Sequence, residues 1–248
     1  MWDEIFFYIA VGFVGQAIDG ALGMAYGVTV SSVLLSTGVP PAITSACVHA
    51  AEVVTTGASG LAHWWHDNCD RRLMARLVIP GMIGGALGAY VLSNIPGETI
   101  RPWISVYLMV IGLIILWKAR KPPPTEYVTP KRVGPLGFFG GLLDAMGGGG
   151  WGPLVTSTLL GYGAAPRKVI GSVNATEFFV TLTISITFLF TIGLSLFPII
   201  AGLVVGGVIA APFAAMAVRY LPARLLMVAV ACVVIALSLR TIYLALMP

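Results

Sequence analysis

Long apolar blocks limit what this chain can fold into more than any other feature. Several of them approach or exceed the roughly 18–20 residues that a helix needs to cross a bilayer. The clearest blocks cover residues 73–92, 104–117, 175–192, 196–218 and 225–246. Only 10% of the 248 residues are charged, whereas soluble domains carry about 25%. Because lipid offers the backbone no hydrogen-bond partner, these blocks predict an all-α, multi-pass membrane protein.

An internal repeat divides the chain into two related halves. A pattern of glycine, phenylalanine, glycine and aspartate recurs 125 residues later, so that Asp19 corresponds to Asp144. The register continues without a gap through Pro41 and Pro166 to Glu52 and Glu177. We therefore predict a first transmembrane repeat at 1–120 and a second at 134–248. A basic, proline-rich linker at 121–133 would join them.

The basic loops indicate how the halves are oriented. Loops 63–76, 118–133, 161–169 and 219–224 are basic, whereas the N-terminus is acidic. The positive-inside rule places basic loops in the cytoplasm. All four reach that side if segments 5–36 and 134–160 each enter and leave the membrane on one side as a broken-helix hairpin. This arrangement predicts inverted repeats, each with a hairpin followed by three transmembrane helices, and an outer N-terminus. A parallel arrangement of two four-helix halves is the alternative.

The predicted hairpin tips are rich in glycine. They span residues 19–27 and 144–152, and the second contains four consecutive glycines, which weaken helices but permit close backbone approach. New helices are expected near Val28 and Pro153, and a helix N-terminus can hold an anion with its free N–H groups. Two such termini at the midplane would form an anion site. Alternatively, the glycines only allow tight packing.

Two pairs of carboxylates are the candidates for ion coupling. Glu52 and Glu177 occupy equivalent positions on the helix after each hairpin, and a carboxylate buried in a membrane can carry a proton near neutral pH. Asp19 and Asp144 form the second pair. Capping of backbone donors, or bonding between helices, is the structural alternative for both pairs. No cofactor and no metal site are expected, because the sequence contains no nucleotide-binding loop, catalytic triad or zinc-protease motif.

The doubled GFxGxxxDxxxGxxxG pattern, the proline-led helices carrying Glu52 and Glu177, and the two-half length resemble the TauE/SafE family of sulfite and organosulfur-anion exporters. The resemblance covers nearly the whole chain. It implies transport of small anions such as sulfite, sulfonates or sulfoacetate, linked to a proton gradient. The first tip departs from the glycine-rich form, and His49 stands where the second half has Asn174.

Together, these features predict a secondary transporter that exports a small sulfur-containing anion through the bacterial inner membrane by alternating access. Glu52 and Glu177 would exchange protons. The predicted substrate-binding residues are Asp19, Gly23, Tyr26, Gly27, Ser31, His49, Asp144, Gly148, Gly149, Gly150, Trp151, Gly152, Thr156 and Asn174. The predicted partners are the anion, protons and lipid, with a homodimer possible through the glycine-rich helices. A passive anion channel and a membrane-embedded enzyme are the alternatives.

Overall fold

The computed structural model describes residues 4–22, 24–120, 133–161, 166–193, 197–217 and 223–246. Gly23 at the first predicted tip lies outside the described residues, and so does the predicted linker apart from Val133. The described residues form helices and no strands, which confirms the all-α prediction.

Five helices make up the first half of the chain. They are α1 (Ile5–Leu22), α2 (Tyr26–Ser36), α3 (Pro41–Trp65), α4 (Arg71–Asn94) and α5 (Gly97–Lys118). Proline suits the first position of α3, because that position has no helical hydrogen bond to lose. The side chain of Asp70 caps α4 by accepting hydrogen bonds from the backbone N–H groups of Arg72 and Leu73.

The second half repeats this order. It contains α6 (Gly134–Gly147), a π-helical segment (Gly152–Thr156), α7 (Ser157–Gly161), α8 (Pro166–Ile192), α9 (Phe197–Ala217) and α10 (Ala223–Leu246). The π-helical segment and α7 together occupy the place that α2 has in the first half.

Four helices are long and apolar enough to cross a membrane, counted within the described residues. They cover Arg71–Asn94, Gly97–Lys118, Lys168–Ile192 and Arg224–Ala245. Large apolar side chains such as Phe6, Phe190 and Trp103 point outward and are 71–84% exposed. Because water would penalise such an apolar outer surface, the fold is that of a multi-pass membrane protein.

Each half begins with a helix that breaks and folds back on itself. Gly15 of α1 packs against Val30 of α2. At the equivalent place in the second half, Gly140 of α6 packs against Val155 of the π-helical segment. We call the turns of these hairpins, each taken to include the first residues of its returning helix, the first tip (residues 24–27) and the second tip (residues 148–152).

Each hairpin packs against the opposite half of the chain. The first arm of each hairpin packs along the fourth helix of the opposite half: α1 along α9, and α6 along α4. Small residues allow these contacts, since Gly206 lies against the backbone of Ile9 and Gly84 against the backbone of Phe138. The core of the fold therefore combines elements of both halves.

Two pairs of corresponding helices, α3 with α8 and α5 with α10, run in opposite directions. In the contact of α3 with α8, Gly60 lies against Ala175 while Gly57 lies against Phe178, so one helix ascends as the other descends. The partners α5 and α10 pack in the same antiparallel way, because Gly112 contacts Val234 near the middle and Arg101 lies beside Arg240 at one end.

This packing sorts the helix ends onto two faces. On one face, Lys168 at the start of α8 donates a hydrogen bond to the backbone carbonyl of Asp67, 2.7 Å away, in the α3–α4 connection. We call this the basic face, because the described residues Arg71, Arg72, Arg76, Arg120, Lys168 and Arg224 lie at the helix ends that meet there. The opposite face carries the C-terminal end of α2, the start of α5 and the end of α10.

Candidate functional site

Two equivalent aspartates cap the helices that follow the tips. Asp19 Oδ1 accepts a hydrogen bond from the backbone N–H of Tyr26 at 3.2 Å, and Asp144 Oδ1 accepts one from Trp151 at 2.8 Å. Each aspartate thus reaches across its break to satisfy the first donor of the returning helix, which stabilises that helix end. Carboxylates therefore already accept hydrogen bonds from some of the backbone N–H groups that were predicted to hold an anion.

Glycine is required where the two tips touch. Gly148, Gly149 and Gly150 have φ angles of +70°, +146° and +142°, which L side chains rarely adopt. A Cβ atom on Gly27 would come within 2.7 Å of the Gly149 Cα and 2.9 Å of Glu52 Oε1. The first tip makes its turn with Ala25 at φ 87° instead. The tips consequently meet backbone to backbone, with Glu52 beside the junction.

A small cavity lies at this junction. Its lining includes the carboxyl side chains of Asp19, Glu52 and Glu177, together with backbone of Gly27 and Gly150. Its volume of about 10 Å³ has room for roughly one water molecule. Glu52 is only 4% exposed, and its Oε2 atom has no hydrogen-bond partner. Three carboxyl groups from α1, α3 and α8 therefore share one small cavity, and no basic side chain lines it.

A buried histidine links the second tip to α3. His49 Nε2 lies 3.1 Å from Asp144 Oδ2, and His49 Nδ1 lies 2.7 Å from the backbone carbonyl of Ser45. A carbonyl oxygen only accepts, so Nδ1 must carry a hydrogen. His49 and Asp144 are both at most 1% exposed, so this contact lies in the interior of the protein.

The structure brings some of the predicted site residues together around the cavity. Asp19, Tyr26, Gly27, Glu52, Gly150, Gly152 and Glu177 line it. Gly148 and Gly149 form the tip beside it.

Other predicted residues lie away from the cavity. Ser31 donates to the backbone carbonyl of Gly148, and the Asn174 side chain hydrogen-bonds Ile170 O and Ser59 Oγ. Trp151 is fully buried, and its indole N–H donates to the carbonyl of Val173 at 3.3 Å. Thr156 is also buried. Ser31 therefore supports the second tip at Gly148, and Trp151 joins the end of that tip to α8.

Tyr107 of α5 is a tip contact that the sequence analysis missed. Its hydroxyl donates to the carbonyl of Gly149 at 3.2 Å, and its ring covers Gly147 and Gly150. Its position in the sequence could have indicated this role. Tyrosine usually lies at the ends of membrane helices, whereas Tyr107 lies midway along α5.

Comparison with known proteins identifies the family. The sequence matches the family described as Sulfite exporter TauE/SafE over residues 8–241. It is 42% identical over 252 residues to the "Probable membrane transporter protein YtnM" of Bacillus subtilis (strain 168), covering 96% of this chain and 83% of that protein. No solved structure matches. The resemblance drawn from the doubled motif is thus confirmed: the chain belongs to the sulfite exporter TauE/SafE family and is a membrane transporter of the sulfite-exporter type.

Proposed function

We propose that this protein exports a small sulfur-containing anion, of the sulfite, sulfonate or sulfoacetate type, across the bacterial inner membrane, and that protons accompany the anion. The observation that carries the proposal is the small cavity at the meeting point of the two tips, lined by Asp19, Glu52 and Glu177. Helix breaks at the contact of two repeats are where transporters of this architecture bind their substrates.

Electrostatics supports a link to protons. An anion about 4 Å from one ionised carboxylate is repelled by roughly 4 kcal/mol at an effective dielectric constant of 20. Three carboxylates without a basic neighbour would therefore exclude an anion from this cavity. Protonation of Glu52 and Glu177 removes two of the three repulsive charges, and the remaining carboxylate, that of Asp19, already accepts a hydrogen bond from the Tyr26 N–H. Proton and anion consequently bind together. The concentration of the anion in the cytoplasm then drives its export.

The size of the cavity supports alternating access. Space for about one water molecule is too small for sulfite, so the tips must separate before an anion can enter. The hairpins pack on helices of the opposite half, so a rocking motion of one half against the other would move the tips apart.

We further propose that the halves form inverted repeats in the membrane. The antiparallel packing of α3 on α8 and of α5 on α10 supports this arrangement, since parallel repeats would align equivalent helices in one direction. The positive-inside rule then places the basic face in the cytoplasm and the N-terminus outside.

Transport in proteoliposomes tests the proposal. Vesicles are loaded with labelled sulfite, sulfoacetate, taurine or thiosulfate, and efflux is measured with and without an acidic interior. We expect one of these anions to leave faster when the interior is acidic. Glu177→Gln should abolish this dependence on the pH gradient, because a neutral amide cannot gain or lose the proton.

Glu98→Gln is the matched control, since Glu98 is exposed at the start of α5 and lies outside the cavity. It should retain the response of the wild type. If the anion flux is the same in wild type and Glu177→Gln and does not change with the pH gradient, proton coupling is contradicted and a passive channel is favoured. If none of the four anions moves, the assigned substrate class is wrong.

A further inference from the structure

A second cavity lies on the face opposite the basic loops. It has a volume of about 350 Å³ and is formed where α2 ends, α5 begins and α10 ends. Two guanidinium groups line it, those of Arg101 on α5 and Arg240 on α10. This cavity shares no lining residue with the central one.

No carboxylate among the described residues pairs with the positive charges of this cavity. No acidic side chain lines it. Within the described residues, the ion pairs join His49 to Asp144 and Lys168 to Asp67, and neither involves these arginines. Two positive charges are thus concentrated at one concave surface, which attracts anions.

The backbone of α2 holds both guanidinium groups in place. Arg101 donates to the carbonyl of Leu35 and Arg240 to the carbonyl of Ser36, at the C-terminal end of the helix. A guanidinium carries five N–H donors, so these contacts leave donors for a ligand. The buried Nε of Arg101 has no hydrogen-bond partner.

Hydroxyl groups in the lining cannot replace the arginines. Ser36 donates to Val33 O and Thr37 to Leu34 O, both at 2.8 Å, and Thr241 donates to Leu237 O at 3.0 Å. Their hydrogens are already committed to helix carbonyls. The two arginines are therefore the groups that would hold a ligand.

The arginine pair is not duplicated by the repeat. Counting from the equivalent prolines Pro96 and Pro222, the offset is 126, so Arg101 corresponds to Met227 and Arg240 to Ile114. The repeat therefore provides no such pair on the basic face, and the feature distinguishes one face of the molecule from the other.

We propose that this cavity is an oxyanion site, in which Arg101 and Arg240 bind one small sulfur or phosphorus oxyanion through paired N–H donors. Two planar guanidinium forks match the geometry of such oxygens better than single point charges do. The 11 residues of α2 extend roughly 16 Å, so one short helix joins this site to the central cavity. The oxyanion site depends on the proposed function only in the choice of sulfate and sulfite as probes.

Binding to the purified full-length protein tests the site. Equilibrium binding of labelled sulfate and sulfite is measured in detergent for wild type, Arg101→Gln, Arg240→Gln and Arg76→Gln. Arg76 is the matched control, because it is exposed on the basic face. Loss of a charged hydrogen-bond partner should weaken binding about tenfold or more in the first two variants. Arg76→Gln and Thr241→Val should bind as the wild type does.

The same oxyanion chemistry is present in a phospholipid headgroup. Phospholipid copurifying with each variant is therefore quantified, and sulfate binding is repeated in nanodiscs with and without phosphatidylglycerol. Sulfate binding that depends on both arginines supports a site for the free anion. Bound phospholipid that is lost from both variants, and that blocks sulfate in the wild type, supports the same site with a lipid phosphate as its ligand.

A measurement on the wild type keeps the proposal testable if a variant fails to fold. Phenylglyoxal modifies accessible arginines, and peptide mass spectrometry locates the products. Sulfate should protect Arg101 and Arg240 at least severalfold more than Arg76. Two results would overturn the proposal. One is that Arg101 and Arg240 are modified equally with and without sulfate and phospholipid. The other is that folded Arg101→Gln and Arg240→Gln bind the ligand as the wild type does. Transport does not enter these measurements, so they remain decisive whether or not sulfite is the transported anion.

Discussion

Asp19 and Asp144 show how one motif serves two equivalent positions differently. Both carboxylates accept the first backbone N–H of the returning helix. Only Asp144 also contacts a histidine, because His49 lies opposite it on α3. Asn174, at the matching position in α8, hydrogen-bonds its own helix at Ile170 instead. Capping is therefore common to both halves, while the contact with a buried histidine belongs to Asp144 alone of the two aspartates.

This difference predicts unequal effects of removing the two carboxylates. Asp19→Ala should lower the free energy of unfolding by about 1 kcal/mol through loss of the cap. Asp144→Ala should lower it by about 1–3 kcal/mol more, because it also leaves the buried His49 nitrogen without a partner. Unfolding of the purified protein in mixed micelles measures both. Equal losses would show that the contact between His49 and Asp144 contributes nothing to stability.

At the scale of helices, glycine decides how closely the hairpins approach the opposite half. Gly84 of α4 lies directly against the backbone of α6, and Gly206 of α9 lies in the same way against α1. A Cβ atom at either position would collide with a carbonyl oxygen of the neighbouring helix. Backbone cannot move aside as the end of a side chain can, so these two contacts fix the spacing of the halves.

Gly84→Ala and Gly206→Ala should therefore each destabilise the protein by about 1–3 kcal/mol. Gly134→Ala is the control, since its new Cβ would meet only Pro80 at 3.8 Å, an ordinary contact. Thermal unfolding in detergent compares the three variants, and transport should fall with stability in the first two. A Gly84→Ala protein as stable as the control would mean that α4 and α6 can separate without loss.

The sequence predicts the helices more completely than it predicts the side-chain contacts between them. Apolar length and the repeated motif reveal the helices, the two breaks and the equivalence of Asp19 with Asp144, since all of these are local patterns. The contact of His49 with Asp144 joins residues 95 positions apart in different halves. No periodicity encodes such a pairing. Ser31 was expected in the site as a hydroxyl near the tip, but its donor is used by Gly148 O.

At the scale of the whole molecule, the packing of equivalent helices constrains how the protein sits in a membrane. The α3–α4 connection contacts the start of α8 through Lys168 and Asp67, so it lies on the basic face. The corresponding α8–α9 connection follows the other end of α8, a helix of 27 residues or about 40 Å. Equivalent connections therefore lie on opposite faces of the molecule.

Cysteine labelling tests this arrangement in cells. Asp67 and Gly193 occupy nearly equivalent places in the two halves, and both are exposed. In a background with Cys47, Cys69 and Cys232 replaced by alanine, Gly193→Cys should react with a membrane-impermeant maleimide added to intact cells. Asp67→Cys should react only after the membrane is opened, because the basic face is expected in the cytoplasm. Labelling of both residues from the same side would contradict inverted repeats. If Asp67→Cys instead reacts in intact cells and Gly193→Cys only after the membrane is opened, the repeats are still inverted but the protein has the opposite orientation in the membrane. The oxyanion cavity of Arg101 and Arg240 would then lie on the cytoplasmic side.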